Sequence, residues 1–355
     1  MAAAAAAAAS SAGSLPFFIK VGESVDQKES NTVSTMLKLQ NGYVLVVYDC
    51  CIHVLGANLT LIKVVGGEEV GFKDGEAANA QFRFPSGLAQ LPDRRVLVAD
   101  AGNHRIRVLS ADLQKVDTVA GDGEEGHRDG AAEQARFSLP SAVALLPDRR
   151  VLVADYGNNR IRVLSADLQN VSTVAGNGQP GHEGGKATNA QFYFPKSLAL
   201  LPDGRVLVAD NFNGKIRVLS ADLQYVGTVT KIDAPEQIVA GNDLVLVLNP
   251  SGGWILNVKD KTKRNAFPAL PEGKRYVCIS ALFKMQAGLS EKDSTERTCI
   301  LVAANKKIHT FAYADWRAVA NLNVTSTDSF EGSVARVPED VIRDGITGFL
   351  LKLKL

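Results

Sequence analysis

VLVADAGNHRIRVL, residues 96–109, returns as VLVADYGNNRIRVL at 151–164 and as VLVADNFNGKIRVL at 206–219. The three copies begin at 96, 151 and 206, a period of 55 residues. A weaker copy, VLVVYDCCIHVL, begins at Val44. Self-similarity at a fixed period of this size marks a repeat architecture, in which each unit buries its apolar face against the next. The full unit is longer than the quoted stretch. FRFPSGLAQLPDRRVLVADAGNHRIRVLSADLQKVDTVAG, from Phe82 to Gly121, recurs from Phe137 to Gly176 and from Phe192 to Thr230.

Inside a unit the apolar segments SGLAQL, RVLVAD, RIRVLS and KVDTVA are short and rich in Val, Leu and Ile, with Gly, Pro, Asp and Asn between them. None has the length of an ordinary helix. Four short strands with turn signals between them are the pattern of a propeller blade. VLVA is apolar on consecutive residues, so both its faces are expected to be covered, whereas RIRVL alternates and is expected to be wetter on one face. In a four-stranded meander alternate turns share an edge. LPDRR and SADLQ therefore lie on one edge, and AGNHR and the long loop after TVAG on the other, here called the top.

The chain has 355 residues and is 46% hydrophobic, enough for a large core. Its 39 basic and 38 acidic residues leave a formal charge of +1, which gives no support to a strongly basic nucleic-acid surface or a polybasic membrane anchor. Cys50, Cys51, Cys278 and Cys299 have no CxxC or metal-ligand spacing and read as reduced thiols. No stretch is long and apolar enough to span a bilayer. The opening MAAAAAAAASSAGS lacks a basic n-region and reads as an Ala-rich tail over 1–14, with an organellar targeting segment as the alternative. The expected location is accordingly cytoplasmic, or organellar if the tail is an address. Residues 15–355 read as a single propeller, with clear repeats over 44–230, degenerate blades over 235–323, and closing strands at 15–22 and 336–355.

The recurring core VAD-x-x-N-x-R/K-I, at Asp100/Asn103/Arg105, Asp155/Asn158/Arg160 and Asp210/Asn213/Lys215, resembles the NHL-repeat family. The connectors TVAGDGEEGHRDGAAEQARFSLP from Thr118, TVAGNGQPGHEGGKATNAQFYFP from Thr173 and VVGGEEVGFKDGEAANAQFRFP from Val64 resemble the TVAG-x-G-x-x-G-x-x-DG connectors of many NHL propellers. The resemblance implies an all-β propeller, here of six four-stranded blades, with a composite seventh blade built from both ends as the alternative. Pro235 to Pro268 reads as the fifth blade and Arg275 to Asn323 as the sixth, although both lack the Asp and Arg of the core.

Asp100, Asp155 and Asp210 each have a basic residue five positions on: Arg105, Arg160 and Lys215. Identical placement in every strong copy suits a turn fixed by an ion pair better than chemistry, which needs its group once. The copies differ on the top face, at Ala101, Tyr156 and Asn211 and again at His104, Asn159 and Gly214. Candidate binding residues there are Asn103, His104, Tyr156, Asn158, Asn159, Asn211, Phe212, Asn213, His127 and His182. His127 and His182 occupy equivalent loop positions, filled by Phe72 in the preceding loop, which suits packing better than a shared metal. GxGxxG at 121–126 and 176–181 opens no helix and is not read as a dinucleotide site.

The resemblance also brings enzymatic precedents. Some NHL-like propellers are zinc-dependent lyases with a His just after the Pro that opens a blade; those positions here are Ser86, Ser141 and Lys196. Related six-bladed lactonases hold a metal with central carboxylates; Glu236 and Glu339 are the Glu residues at comparable blade openings. The expectation is a non-catalytic scaffold that binds a protein partner through top-face loops, with no catalytic residues, cofactor, metal, nucleic acid or membrane contact, acting as a monomer. A metal-dependent lyase or lactonase and an RNA-binding module are the alternatives.

Overall fold

The computed structural model describes residues 17–24, 33–48, 50–56, 60–67, 69–241, 245–250, 252–259, 261–265, 276–279, 283–286, 296–304 and 307–314. The tail 1–14, the closing strand expected over 336–355, and Glu339 lie outside the described residues. No helix among the described residues is long and apolar enough to cross a membrane.

Each strong copy folds as an antiparallel meander. Blade 2 is Pro85–Gln90, Val96–Asp100, Arg105–Leu109 and Lys115–Ala120. Blade 3 is Pro140–Leu145, Val151–Asp155, Arg160–Leu164 and Asn170–Ala175. Blade 4 is Pro195–Leu200, Val206–Asp210, Lys215–Leu219 and Tyr225–Lys231. Blade 1, from the weak copy, is Thr35–Lys38, Val44–Val47, Ile52–Leu55 and Leu61–Val65. Blade 5 is Gln237–Ala240, Val245–Asn249, Gly252–Leu256 and Lys263–Asn265.

Five such blades are seen among the described residues, not the expected six or seven. The remaining strands form a terminal sheet of different construction. Phe17–Ser24 pairs with Lys307–Ala314, which pairs with Glu296–Ala304, and the last edge of that strand is shared by Tyr276–Ile279 and Phe283–Gln286. Tyr276–Ile279 approaches the first strands of both blade 1 and blade 5, so this sheet fills the gap in the ring. The N-terminal strand thus joins this sheet. These segments carry no Asp and Arg core to impose the uniform meander.

The VLVAD strands are buried at every residue, as expected for strands covered on both sides. Their core lies between neighbouring blades: Leu45, Val47, Ile52 and Val54 of blade 1 cluster with Val96, Val98 and Leu109 of blade 2. The same interleaving joins blades 2 and 3, 3 and 4, and 4 and 5. Each fully buried Val, Leu or Ile contributes about 1.5–3 kcal/mol. The RIRVL strands differ from expectation, because Arg107, Arg162 and Arg217 are fully buried and not on a wet face.

The connectors do more than cross from blade to blade. In blades 2, 3 and 4 a two-residue strand of the incoming connector, at Gly75–Glu76, Gly130–Ala131 and Gly185–Lys186, adds a fifth strand outside the last one. It lies over Val116, Val171 and Val226. The chain then returns through Phe82, Phe137 or Phe192, all fully buried, to the Pro that opens the inner strand.

Candidate functional site at the mouth of the central channel

The top face is held by one polar network, written three times. Asp100 ends its strand without exposure, and its Oδ1 accepts the Arg83 N–H at 2.8 Å. Its Oδ2 accepts from Asn103 Nδ2 and Arg107 Nη1, each at 2.8 Å. Arg107 also donates to the carbonyls of Gln81 and Lys73 and pairs with Asp74 at 2.6 Å, with Phe82 5.2 Å from its guanidinium. Blade 3 repeats the set with Asp155, Asn158, Arg162 and Asp129. Blade 4 keeps Asp210, Asn213 and Arg217 but has Gly184 where the others have Asp74 and Asp129. A Cβ on Gly184 would lie 2.7 Å from the Val226 carbonyl oxygen, so here the backbone has closed on the space a side chain would need.

Burial pushes the carboxyls of Asp100, Asp155 and Asp210 up from the ordinary range, against the opposing pull of the amide, backbone N–H and guanidinium donors. A buried charge is tolerated only when its lone pairs are filled, and these are.

The expected pairing of Asp100 with Arg105, Asp155 with Arg160, and Asp210 with Lys215 is corrected by this geometry. Those residues face each other only as backbone neighbours in the ladder. The ion pair runs diagonally to the residue two further along, a span that a long guanidinium side chain covers. Arg105 instead donates to the Asp122 and Asn103 carbonyls and lies 3.8 Å over the Phe72 ring. Arg160 does the same with Asn177 and Asn158. This gives the GxGxxG glycines their meaning. Gly123 has φ +92°, and a Cβ there would come within 2.2 Å of the Arg105 guanidinium.

The inner strands of all five blades line a central channel whose cavity is about 690 Å³. Its rim is apolar. The residue before each opening Pro, Phe84, Leu139 and Phe194, has a left-handed backbone with φ 51°, 49° and 56°. Large residues preceding Pro rarely adopt this conformation. Two of the three are held by the preceding turn: the Leu139 N–H donates to His104 Nδ1 at 3.2 Å and the Phe194 N–H to Asn159 Oδ1 at 2.8 Å. Phe84 and Leu139 are 54% and 40% exposed. Tyr156 stacks on Phe194 at 4.6 Å, and Tyr193 and Phe212 extend the cluster, Phe212 being 60% exposed.

Inside the rim, the residue after each opening Pro links one blade to the next. Ser86 Oγ donates to the Pro140 carbonyl at 3.2 Å and Ser141 Oγ to the Pro195 carbonyl at 3.0 Å. Between blades 4 and 5 the residue after the Pro makes an ionic link, Lys196 Nζ to Glu236 Oε1 at 3.0 Å, beside Ser197 Oγ, which accepts the Ile238 N–H at 3.0 Å.

The family model for the NHL repeat matches residues 82–109 and 137–164, the blade core described above. The chain is an NHL-repeat propeller. Among curated relatives of this NHL propeller, NHL repeat-containing protein 2 of Gallus gallus is 30% identical over 153 residues, 42% of this chain and 20% of that protein. The Bos taurus protein of the same name is 28% identical over 196 residues, 51% of this chain and 27% of the relative. Protein SUPPRESSOR OF QUENCHING 1, chloroplastic, of Arabidopsis thaliana is 28% identical over 162 residues, 43% of this chain and 15% of that protein. The match therefore spans roughly a quarter or less of these relatives.

Solved structures share the fold at lower identity. A gluconolactonase from Xanthomonas campestris superposes with TM-score 0.57 at 10% identity, covering 84% of this chain and 95% of that one. Virginiamycin B lyase from Staphylococcus aureus, solved with quinupristin, gives 0.52 at 12% identity, covering 84% and 99%.

Within the NHL propeller, several candidate binding residues are occupied by the frame. Asn103, Asn158 and Asn213 each bridge their own Asp to a connector carbonyl, at Gly71, Gly126 and Gly181. Asn159 is 8% exposed and Asn211, 7% exposed, donates to the Pro235 carbonyl. His127 Nε2 lies 3.0 Å from Thr173 Oγ1, and burial with Arg162 and Arg160 nearby holds its pKa below the ordinary value. His182 is exposed. No group of three or more His, Cys, Asp or Glu among the described residues is placed to hold a metal. Tyr156, Phe212 and His104 remain at the rim. Phe84, Leu139 and Phe194 join them, although the sequence reading passed over them. Their signal was a large apolar residue before the same Pro in every copy.

Proposed function

We propose that this NHL propeller is a non-catalytic scaffold that docks a protein partner on its top face. The observation that carries the reading is the exposed rim of Phe84, Leu139 and Phe212, with Phe212 packed on the Phe194 and Tyr193 rings and Tyr156 stacked on Phe194. Apolar groups gathered on a rigid rim are the composition of an interface core. A left-handed backbone held at successive blades is strain that concentrates at functional sites. The terminal sheet serves as the sixth blade in this reading. The protein acts as a monomer with no nucleic-acid or membrane partner, in the cytoplasm or in an organelle like its chloroplastic relative.

A photo-crosslinking residue at position 212 tests it. A discrete adduct that is lost in Phe84→Ala and Tyr193→Ala is expected. The same adduct from a residue at Asp203, on the opposite edge, overturns the reading.

A metal-dependent lyase or lactonase is the second reading, favoured by the size of the channel, which lies in the usual range for ligand sites. About one tightly held metal per purified chain, by elemental analysis, favours it over the scaffold. An RNA-binding module finds less support, since Arg105 and Arg160 already donate to connector carbonyls.

A further inference from the structure

Blade 4 meets blade 5 in the channel differently from the way blade 2 meets blade 3 and blade 3 meets blade 4. At those two junctions a serine hydroxyl and a proline carbonyl make the link. At the next, Lys196 and Glu236 make it, with 39% and 24% of their side chains exposed. The fold does not require charge here, because serine performs the same join twice. A half-buried ion pair contributes little stability after desolvation. Both groups line the cavity, and no other opposite-charge pair among the described residues does.

Tyr156 lines the same cavity, braced by its stack on Phe194. Burial first, and then the Glu236 carboxylate that lines the same cavity, raise the pKa of its phenol. Phe84, Leu139 and Leu88 supply apolar wall. The site therefore offers one anchored anion, one mobile cation and an aromatic side.

We propose that the channel mouth binds a small organic ammonium ion, its charge on the Glu236 carboxylate and its apolar body against Tyr156, Phe84 and Leu139. The sign of the ligand follows from which partner can leave. Lys196 is the more exposed, and its flexible stem carries the ammonium into water at small cost. Glu236 is the less exposed, and its backbone N–H is fixed to the Leu248 carbonyl at 2.8 Å. A ligand anion on Lys196 would instead set two carboxylates side by side. An ammonium ion beside an aromatic ring gains a further attraction. The site shares Phe84, Leu139 and Tyr156 with the docking rim, but the proposal does not rest on a partner binding there.

The test titrates the full chain with phenethylammonium chloride, 3-phenylpropionate and phenethyl alcohol, followed by NMR. The expected result is saturable binding of the ammonium ion alone, with Kd of about 1 mM or tighter. Glu236→Gln should weaken it by about tenfold, one charge-assisted hydrogen bond. Lys196→Ser, which places at 196 the serine found in blades 2 and 3 and leaves the Ser197 Oγ to accept the Ile238 N–H across the two blades, should tighten it by removing the competing ammonium. Preferential binding of 3-phenylpropionate, loss of ammonium binding in Lys196→Ser, or no saturable binding of any probe overturns the proposal. None of these outcomes bears on the crosslink at position 212.

Discussion

Arg107 Nη1 lies 2.8 Å from Asp100 Oδ2, and neither side chain has any exposure. The pair recurs at Arg162 and Asp155 and at Arg217 and Asp210. It ties the end of one strand to the next strand and, through the guanidinium, to the connector that wraps the blade.

Removing the carboxylate should cost different amounts in different blades. Asp155→Ala leaves Arg162 with Asp129 at 2.5 Å, so a loss of about 1–3 kcal/mol is expected. Asp210→Ala leaves Arg217 buried with carbonyl partners only, and about 3–5 kcal/mol is expected. Urea unfolding of the two variants checks the order. Equal losses would mean that Asp129 does nothing for Arg162.

Glycine substitutions should separate crowding from backbone strain. Gly123→Ala drives a methyl into the Arg105 guanidinium, while Gly130→Ala, at φ +123°, meets nothing within 4 Å. Both bear the cost of a positive φ, about 1 kcal/mol. Gly123→Ala should lose roughly 1–2 kcal/mol more, as Arg105 gives up a charged hydrogen bond. Comparing their thermal midpoints decides it.

His127 should give the fold a pH dependence. Its folded pKa lies below the ordinary 6.5, because burial, Arg162 and Arg160 disfavour the imidazolium more than Asp129 supports it. The unfolded chain then binds the proton more readily, so this contribution is complete above 6.5 and is lost as pH falls through the folded pKa. Stability measured from pH 8 to pH 5 should decline less in His127→Gln than in the parent.

The rim backbone should loosen when its acceptor is removed. Asn159→Gly copies the Gly214 of the next blade, keeps the left-handed φ available and removes the Oδ1 that accepts the Phe194 N–H. A loss of about 1 kcal/mol and faster hydrogen exchange at the Phe194 amide are expected. Unchanged exchange there would mean that Phe194 holds its conformation without Asn159.

The blades were readable because turn residues recur at fixed offsets and VLVAD is apolar on both faces. The ion pair was harder to place. Spacing within the turn points to Arg105, yet the informative difference is that position 105 becomes Lys215 in the third copy while Arg107, Arg162 and Arg217 stay the same. A buried Arg in the middle of a strand has no local signature, because its partners Asp74 and Gln81 come from a connector folded back over it. The DG pairs read as turn residues; Asp74 and Asp129 also supply the second carboxylate. The terminal sheet escaped a full reading for a related reason: its strands come from both ends of the chain and share no repeat.

That terminal sheet fixes the order in which the molecule is built. Every blade strand pairs with a near neighbour in sequence, but Phe17 pairs with Ala314 and Ser24 with Ile308. Local hairpins form early, and a contact spanning nearly the whole chain pays its loop-closure entropy once, after the blades between its ends exist. Among the described residues the ring thus has one such seam. Strain, a cut connector or a competing strand opens it there first, and two molecules that trade Phe17–Ser24 before closing would make an exchanged dimer with every blade intact.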